Sequence, residues 1–386
     1  MKYLEVNILV LNLQESDSHS SSMIRTLSFI EGLSKNKVKC HFLNFISSRE
    51  CKLNNSLFIS YQNFQSFKKV KAQNKTNKRS KPNFIKKVIY KYFDVYLLNL
   101  FPVLKYFIQT QQKYTHVIGI GDPKASFVPF LFLKHYTKFK SVNRIQIWGD
   151  PLFDDITRNW SYFSALAKHW EMKLLSSANL IFYVSPITLE KQKSLFEEFS
   201  SKMYLVTPCY DHDLCKQKNV TPEYDVGYCG DYFSNIRDIN PALIAIDELN
   251  LMSVVVGNSN IKLSGHKKRI LFRRINLECV KNIISKIQIH LVILNLYGGQ
   301  IPGKIYQLAA TGRPILIILG QDSLVNNKIL KYFSKYKSIF FSQNSVKDIK
   351  KELLKIQEQL KCNNFLPISD FDSKIVAKQF LEICSQ

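Results

Sequence analysis

The chain has 386 residues, of which 46% are hydrophobic, and it carries a formal net charge of +24 with a pI of about 9.6. This length and apolar content allow large cores and argue against a single domain. The positive charge favours an anionic partner, which could be nucleic acid, an acidic membrane surface or a phosphorylated substrate. A composition rich in lysine, asparagine and isoleucine would also follow from an AT-rich genome.

The eight cysteines are scattered, without a CxxC pair or a His/Cys cluster of zinc spacing. They are interpreted as reduced thiols of a cytoplasmic protein. The N-terminal sequence MKYLEVNILVLNL lacks the order of a signal peptide and is predicted to form a buried strand. The most apolar stretch, residues 88–108, is interrupted by charges and a proline, so no transmembrane helix is predicted.

The first half of the chain alternates apolar, β-rich runs with segments of helical periodicity. Such alternation predicts a parallel sheet with crossover helices. The predicted strands are 6–13, 39–46, 115–122, 143–150, 180–185 and 203–208, and the predicted helices are 23–36, 126–136, 164–178 and 186–199.

Residues 64–91 depart from this pattern, because they hold many lysines, one arginine and no acid. They could form a solvated loop, or they could dock on an anionic membrane surface, with the aromatic residues just after them entering the interface. RNA binding is a third interpretation, but no nucleic-acid motif accompanies the charge.

Residues 207–224, TPCYDHDLCKQKNVTPEY, are polar and contain two prolines, and we predict that they link two domains. The alternation then resumes. The predicted strands are 224–231, 251–257, 290–296, 314–320 and 338–342, and the predicted helices are 240–250, 278–287, 323–335, 346–361 and a last one within 370–386.

The predicted fold class is therefore α/β, with two doubly wound Rossmann-like domains facing a cleft. The expected domains are 1–206 and 225–368, followed by a C-terminal helix at 369–386 that crosses back to the first domain. In such sheets, ligands bind beyond the carboxyl ends of the strands, at the point where the strand order reverses.

The segment GGQIPGKIYQLAATGRP (298–314) is a candidate anion site. We expect a strand to end at Tyr297, two glycines to allow close approach of a ligand, and a helix to begin near 301–304. The first N–H groups of that helix would face the ligand, and Lys304 would add a full charge. Gly312 is predicted to end the helix. An ordinary strand–helix turn is the plainer interpretation.

A second candidate is YDVGYCGDYFSNIRD (224–238), in which a strand ends at Gly230 and a loop carries Arg237. A glycine at a strand end and a nearby guanidinium suit a diphosphate, because arginine binds phosphate oxygens in a bidentate fork. The alternative is that Arg237 is an ordinary surface residue with no role in binding, which the sequence alone does not distinguish.

Three segments together resemble the nucleotide-sugar glycosyltransferases of the GT-B fold, in particular the family 4-like group that includes bacterial capsule and lipopolysaccharide enzymes. The first is ANLIFYVSPITLEKQKSLF (178–196), with a serine after the last strand of the first domain. The second is VGYCGDYFSNIRDINPAL (226–243), like the group's glycine loop and basic residue. The third is QIPGKIYQLAATGRPIL (300–316), like its donor-binding strand–helix element.

The resemblance implies that the second domain binds the sugar nucleotide and the first binds the acceptor. Donor-binding residues are then expected to be Gly230, Arg237, Gly299, Gln300, Ile301, Gly303, Lys304 and Gln307. Many members have glutamates where this chain has Gly299 and Gln307. The amide can still bond a ribose, but the sugar and the stereochemical course do not follow from the resemblance.

The catalytic candidates lie in the first domain. Asp122 and Asp150 each follow a predicted strand, where a carboxylate could deprotonate or orient an acceptor hydroxyl. Each also begins an Asp-Pro pair, which is common where a helix starts. His19, in the serine-rich loop after the first strand, is a third candidate, although a single histidine often has no catalytic role.

The function implied is hexosyl transfer from a UDP- or GDP-type sugar to a surface glycan or lipid-linked acceptor, by a peripheral protein on the cytoplasmic membrane face. No cofactor and no metal are expected. A sugar-nucleotide epimerase of the same fold is an alternative that needs no acceptor. A catalytically degenerate sugar-nucleotide-binding subunit is a second alternative, and a basic RNA-binding protein is the last.

Overall fold

A computed structural model describes residues 6–15, 20–46, 59–65, 95–153, 164–210, 214–215, 220–261 and 266–386. The chain forms two compact units. The first contains Met1–Thr207 and Val376–Gln386, and the second contains Pro208–Ile375.

The first unit is built on a parallel sheet of seven strands in the order β3-β2-β1-β4-β5-β6-β7. The strands are β1 (Asn7–Glu15), β2 (Lys39–Ile46), β3 (Ile59–Gln65), β4 (His116–Ile120), β5 (Asn143–Trp148), β6 (Leu180–Tyr183) and β7 (Met203–Leu205). The strand order reverses between β1 and β4. Apolar side chains along β1, from Ile8 to Leu11, are buried, as expected for a parallel strand covered on both faces.

The helices of this unit cover both faces of the sheet. They are α1 (Ser21–Lys35), α2 (Leu100–Gln109), α3 (Phe130–Leu133), α4 (Ser164–Ser176) and α5 (Pro186–Leu195). Ser185, the serine of the first resembling segment, caps α5 by accepting the N–H of Thr188 at 3.3 Å.

The second unit has a parallel sheet of six strands in the order β10-β9-β8-β11-β12-β13, which reverses between β8 and β11. The strands are β8 (Tyr224–Cys229), β9 (Ser253–Val256), β10 (Arg269–Phe272), β11 (Ile287–Ile293), β12 (Ile315–Ile318) and β13 (Ile339–Ser342). The helices are α6 (Asn240–Glu248), α7 (Leu277–Ser285), α8 (Lys304–Leu308), α9 (Ser323–Phe333), α10 (Val346–Cys362) and α11 (Ser373–Cys384). Two parallel α/β sheets confirm the predicted fold class.

The end of α11 belongs to the first unit, as expected from the sequence. Its Phe380 packs against Phe29, with ring centres 5.0 Å apart, and against Phe182, with ring centres 4.7 Å apart. These contacts attach the end of the chain to the core of the first unit.

Two local predictions were wrong, and two strands were missed. Residues 126–136 are not one helix: a 3-10 turn at Lys124–Phe127 precedes the short α3, because Pro129 cannot donate the hydrogen bond that would continue it. The strand predicted at 290–296 ends at Ile293. The strands β3 and β10 were not predicted, and β10 is an edge strand whose Leu271 and Phe272 are exposed.

No helix among the described residues is long and apolar enough to span a bilayer. Apart from its first two residues, the basic segment 64–91 lies outside the described residues, as does His19. The proposals for both therefore stay predictions.

Candidate functional site

The candidate site of the second unit lies where β8 and β11 end, at the reversal of the strand order. The chain leaves β8 through Gly230, whose φ of +154° favours glycine. A Cβ at Gly230 would overlap the Nζ atom of Lys304. The missing side chain therefore gives the lysine its place at the strand end.

Lys304 begins α8 and turns its side chain back to β8. Its Nζ donates to the carbonyl of Cys229 at 3.0 Å and lies 4.5 Å from the centre of the Tyr228 ring. A carbonyl dipole and an aromatic face hold a cation in position without neutralising it.

Arg237 reaches the same place from the loop after β8. Its Nε donates to Asn295 Oδ1 at 2.9 Å, and its Nη1 donates to the carbonyl of Asp231 at 3.3 Å. Asn295 is buried just beyond the end of β11, so it orients the guanidinium from the neighbouring strand.

The two cations disfavour each other's charge. Burial and the nearby charge of Arg237 lower the pKa of Lys304 to about 7, which the carboxylate of Asp231 offsets only in part. Lys304 therefore gives up its proton far more readily than an exposed lysine. An anion bound between Lys304 and Arg237 would restore its proton, so the arrangement is that of an anion site.

The loop before α8 differs from the predicted form. The helix begins at Lys304, with Gly303 before it and no side-chain cap. It has five residues and continues as a 3-10 turn, Ala309–Thr311, which ends at Gly312 with φ +63°. The expected end at Gly312 is confirmed. A helix this short has a weak dipole, so most of the positive potential comes from the two side chains.

The remaining predicted residues surround this point. Gly299 and Ile301 belong to the half-buried loop between β11 and α8. Gln300 Oε1 accepts from Asn295 Nδ2 at 3.4 Å, which ties this loop to the partner of Arg237. Gln307 Nε2 donates to the carbonyl of Cys209 at 2.9 Å. Ribose binding by Gln307 stays a prediction.

A cavity of about 510 Å³ lies next to the anion site, at the carboxyl ends of β11, β12 and β13. It adjoins the site through Asp238 and Leu296, which follow Arg237 and Asn295 in the chain. Its polar lining consists mainly of amides and one carboxylate: Gln321, Asn326, Asn327, Gln343, Asn344 and Asp238. No lysine or arginine lines it among the residues that the structure describes.

Asn344 is the clearest binding group of this cavity. Its Nδ2 donates to the carbonyl of Asp238 at 3.0 Å, while its Oδ1 has no hydrogen-bond partner in the described part of the chain. A buried acceptor without a partner is costly, and a ligand donor such as a hydroxyl would satisfy it.

In the first unit, Asp122 follows β4 at the reversal between β1 and β4. It forms an ion pair with Lys124, whose side chain is buried, and Arg25 of α1 lies close by. Partial burial raises the pKa of the Asp122 carboxyl, but the charges of Lys124 and Arg25 outweigh that effect and hold the pKa below its usual value. Asp122 is therefore a weak base whose negative charge is already bound.

Asp150 lies beside it, beyond the end of β5. Its backbone N–H donates to Asp122 Oδ2 at 3.3 Å. The residue before it, Gly149, makes this contact possible, because a Cβ there would overlap Asp122 Oδ2 and lie 2.8 Å from Arg25 Nη2. The structure thus brings Asp122 and Asp150 together where the neighbouring strands β4 and β5 end.

Sequence reasoning missed several members of both groups. Asn295 is hidden inside an apolar run, and a buried polar residue at a strand end was its only signal. Arg25 gave no signal, because its role depends on the contact between α1 and the end of β4. Lys124 was overlooked, although its partner Asp122 is only two residues away in the chain. Among the described residues, no group of three histidines, cysteines or carboxylates could hold a metal ion.

No protein-family profile matches the sequence, and no curated protein sequence is significantly similar to it. HepE from Anabaena, solved in complex with UDP, aligns with 98% of this chain and 100% of its own at a TM-score of 0.53 and 13% identity. A glycosyltransferase from Rickettsia africae aligns with 98% of this chain and 97% of its own, at a TM-score of 0.53 and 12% sequence identity. UDP-GlcNAc 2-epimerase from Neisseria meningitidis, bound to UDP-GlcNAc, aligns with 99% of this chain and 100% of its own, at a TM-score of 0.56 and 13% sequence identity.

These likenesses define the fold. The chain has the GT-B fold, which nucleotide-sugar glycosyltransferases share with UDP-GlcNAc 2-epimerases, and the expected fold is confirmed. At such identities the reaction does not follow from the fold. Membership of family 4 stays a prediction.

Proposed function

We propose that the protein transfers a hexosyl group from a UDP- or GDP-type sugar to a surface glycan or lipid-linked acceptor at the cytoplasmic face of the membrane. The observation that carries the proposal is the pair of cations, Lys304 and Arg237, at the strand reversal of the second sheet. In structures of this fold, HepE was solved with UDP and the Neisseria epimerase with UDP-GlcNAc.

The chemistry required of the site is stabilisation of a leaving diphosphate. As the bond between the sugar and the phosphate breaks, negative charge grows on the bridging oxygen and the outer phosphate. A protonated Lys304 and the fork of Arg237 oppose that charge in a partly desolvated place, where such contacts are strong. These two residues act on the leaving group without a metal or other cofactor.

The acceptor hydroxyl forms the new glycosidic bond and must lose its proton. Asp150 is the stronger candidate for general base, because Asp122 is held as a weak base by Lys124 and Arg25. In this proposal Asp122 positions the Asp150 backbone and Asp150 contacts the acceptor.

The transferred sugar is proposed to lie in the cavity next to the anion site. Amides and a carboxylate suit the hydroxyl groups of a neutral sugar, and the volume of about 510 Å³ accommodates one. A sugar acid would meet Asp238 without a basic side chain to bind its carboxylate.

The first test is ligand-dependent thermal stabilisation by uridine, guanosine and cytidine diphosphates and their sugar conjugates, at low and moderate salt. We expect one nucleotide series to raise the melting temperature of the parent. Lys304→Ala and Arg237→Ala should lose most of that shift. Lys361 is an exposed lysine in the last turn of α10, and Lys361→Ala should keep the shift. Equal shifts in all four proteins would refute the donor site.

Epimerisation is the second candidate, because the Neisseria epimerase shares the fold. It predicts that UDP-GlcNAc, incubated without any acceptor, changes into a second UDP-sugar visible by proton NMR. Transfer predicts no such change and release of UDP only when an acceptor is added. A protein that binds the donor but does neither would be the degenerate subunit.

A further inference from the structure

An exposed apolar stripe runs along the outer face of α2. Leu98, just before the helix, is 51% exposed, Phe101 is 66% exposed and Ile108 is 65% exposed. Within α2, Phe101, the exposed Lys105 and Ile108 follow the spacing i, i+4, i+7, which places them on one face of the helix. Leu98 lies in the 3-10 turn Val95–Asn99 that leads into α2.

The other face of α2 is an ordinary core face. Pro102, Val103 and Phe107 are buried, and Phe107 packs against Phe139 with ring centres 4.8 Å apart. The helix is therefore apolar on both sides, so burial in this unit does not account for the stripe. An apolar line of three large side chains on an outer surface marks an interaction site.

The charge around the stripe selects the partner. Residues 95–148 contain six lysines and one arginine but a single acid, Asp122, which is already paired with Lys124. The segment after α3 packs on α2, where Lys138 Nζ donates to the carbonyl of Thr110 at 2.6 Å. Lys113, Lys134 and Lys140, in the same stretch of chain, are exposed. A surface of apolar side chains and unopposed lysines complements anionic lipid.

We propose that α2 is the membrane-docking face of this protein and that its partner is an anionic bilayer. Phe101 and Ile108 enter the boundary between head groups and acyl chains, and Lys105 extends along them to the lipid phosphates. This deepens the proposed function, since it rests on an acceptor at the membrane, but the contact is measurable without sugar transfer.

The test is sedimentation of the full chain with vesicles of 70% phosphatidylcholine and 30% phosphatidylglycerol, compared with pure phosphatidylcholine. We expect binding to the mixed vesicles that weakens with salt, because part of it is electrostatic. The double variant Phe101→Ser, Ile108→Ser should bind at least tenfold more weakly. The control variant Leu324→Ser, Leu366→Ser removes side chains that are 74% and 64% exposed in the second unit, and it should bind like the parent.

Insertion is read directly with Phe101→Trp, whose emission should shift to shorter wavelength on adding mixed vesicles, relative to the parent with its three tryptophans. The proposal is overturned if the parent ignores anionic vesicles, if the Phe101/Ile108 variant binds as well as the parent, or if the emission does not shift. The parent could also form an oligomer through the stripe, which would appear as a larger molecular mass that the double variant does not have. That result would mean that the stripe binds a second copy of this chain and not lipid. Binding to RNA in place of vesicles would also overturn it.

Thermal stabilisation by the nucleotide sugar separates this result from the proposed function. The stripe variants should keep the full shift, because no donor-site residue is changed. If the protein binds vesicles but no nucleotide sugar, the membrane-docking proposal stands and the proposed transferase function is refuted.

Discussion

The ammonium group of Lys304 lies over the ring of Tyr228, with Nζ 4.5 Å from the ring centre and 3.0 Å from the carbonyl oxygen of Cys229. Arg237 approaches the same strand end and is oriented by Asn295. Burial, and after it the nearby charge of Arg237, lower the pKa of Lys304 to about 7. The carboxylate of Asp231 compensates for the two cations only in part. The site is therefore organised to bind an anion.

The binding of a nucleotide sugar should depend on pH through Lys304. A bound diphosphate favours the charged lysine, so its pKa rises on binding and a proton is taken up above pH 7. The affinity for a UDP-sugar should therefore fall by up to about tenfold per pH unit as the pH rises above 7. Isothermal titration calorimetry between pH 6 and 9 in two buffers of different ionisation enthalpy measures both the affinity and the proton.

The control for this prediction is Lys304→Met, which keeps the chain length and removes the charge. Its affinity should be lower at pH 7 and nearly independent of pH. The titrations should use a UDP-sugar as the ligand. The terminal phosphate of UDP has a pKa of about 6 and would add its own pH dependence. A parent affinity that stays constant to pH 9 would contradict the role given to Lys304.

The same pKa shift acts on stability in the absence of ligand. A lysine whose pKa is lower when folded binds fewer protons in the folded state between about pH 7 and its usual value of 10.5. The free energy of unfolding should therefore rise with pH in that window, relative to Lys304→Met. Urea denaturation of both proteins at pH 7 and pH 9.5 should show this difference, and equal pH responses would count against it.

Arg237→Lys tests the fork of the guanidinium. A lysine retains the charge but has a single nitrogen, so it cannot bind a phosphate through a two-pronged fork while another nitrogen bonds Asn295. We therefore expect donor affinity to fall about tenfold. Arg237→Ala should lose more, while Arg273→Ala, an exposed arginine beyond β10, serves as the control. Full affinity in Arg237→Lys would mean that only its charge matters.

Asp122→Asn is expected to destabilise the first unit by about 2 kcal/mol, because it leaves the buried Lys124 without its partner. The full effect of breaking a buried pair is reduced here, since the Asp122 side chain is 35% exposed and water screens part of the interaction. The double variant Asp122→Asn, Lys124→Met should recover stability. Denaturant midpoints compare the three proteins, and no recovery in the double variant would contradict the ion-pair explanation.

The pH response of that pair has the opposite form. Because the folded pKa of Asp122 is lowered, its stabilisation is present above the unfolded value of 3.8 and is lost as the pH falls through the folded pKa. The difference between parent and Asp122→Asn should accordingly persist at pH 4.5 and disappear in stronger acid.

Filling the cavity should separate the sugar from the nucleotide. Asn327 lines the cavity from an exposed position of α9, so Asn327→Trp should fold normally and weaken UDP-sugar binding several-fold while leaving UDP unaffected. Leu324→Trp, on the same helix but outside the cavity lining, is the control. Equal losses for UDP and the UDP-sugar would place the sugar outside the cavity.

The sequence by itself determined the two parallel sheets, because a parallel strand buried on both faces needs a continuous apolar run, and runs such as 6–13 and 314–320 are visible as such. It also indicated Gly230, Arg237 and Lys304, since glycine at a strand end and a cation after it have local physical causes. Edge strands such as β10, half exposed and flanked by basic residues, gave no comparable pattern.

Only the tertiary structure decided which charges meet. Lys304 and Cys229 are 75 residues apart, and Asp150 meets Asp122 across 28 residues, through contacts between neighbouring strand ends. The strand order that brings β8 beside β11, and β4 beside β5, comes from packing over the whole sheet. For that reason, the lowered pKa of Lys304, the contact of Asp122 with the backbone of Asp150 and the exposure of the outer face of α2 could not be read from local sequence.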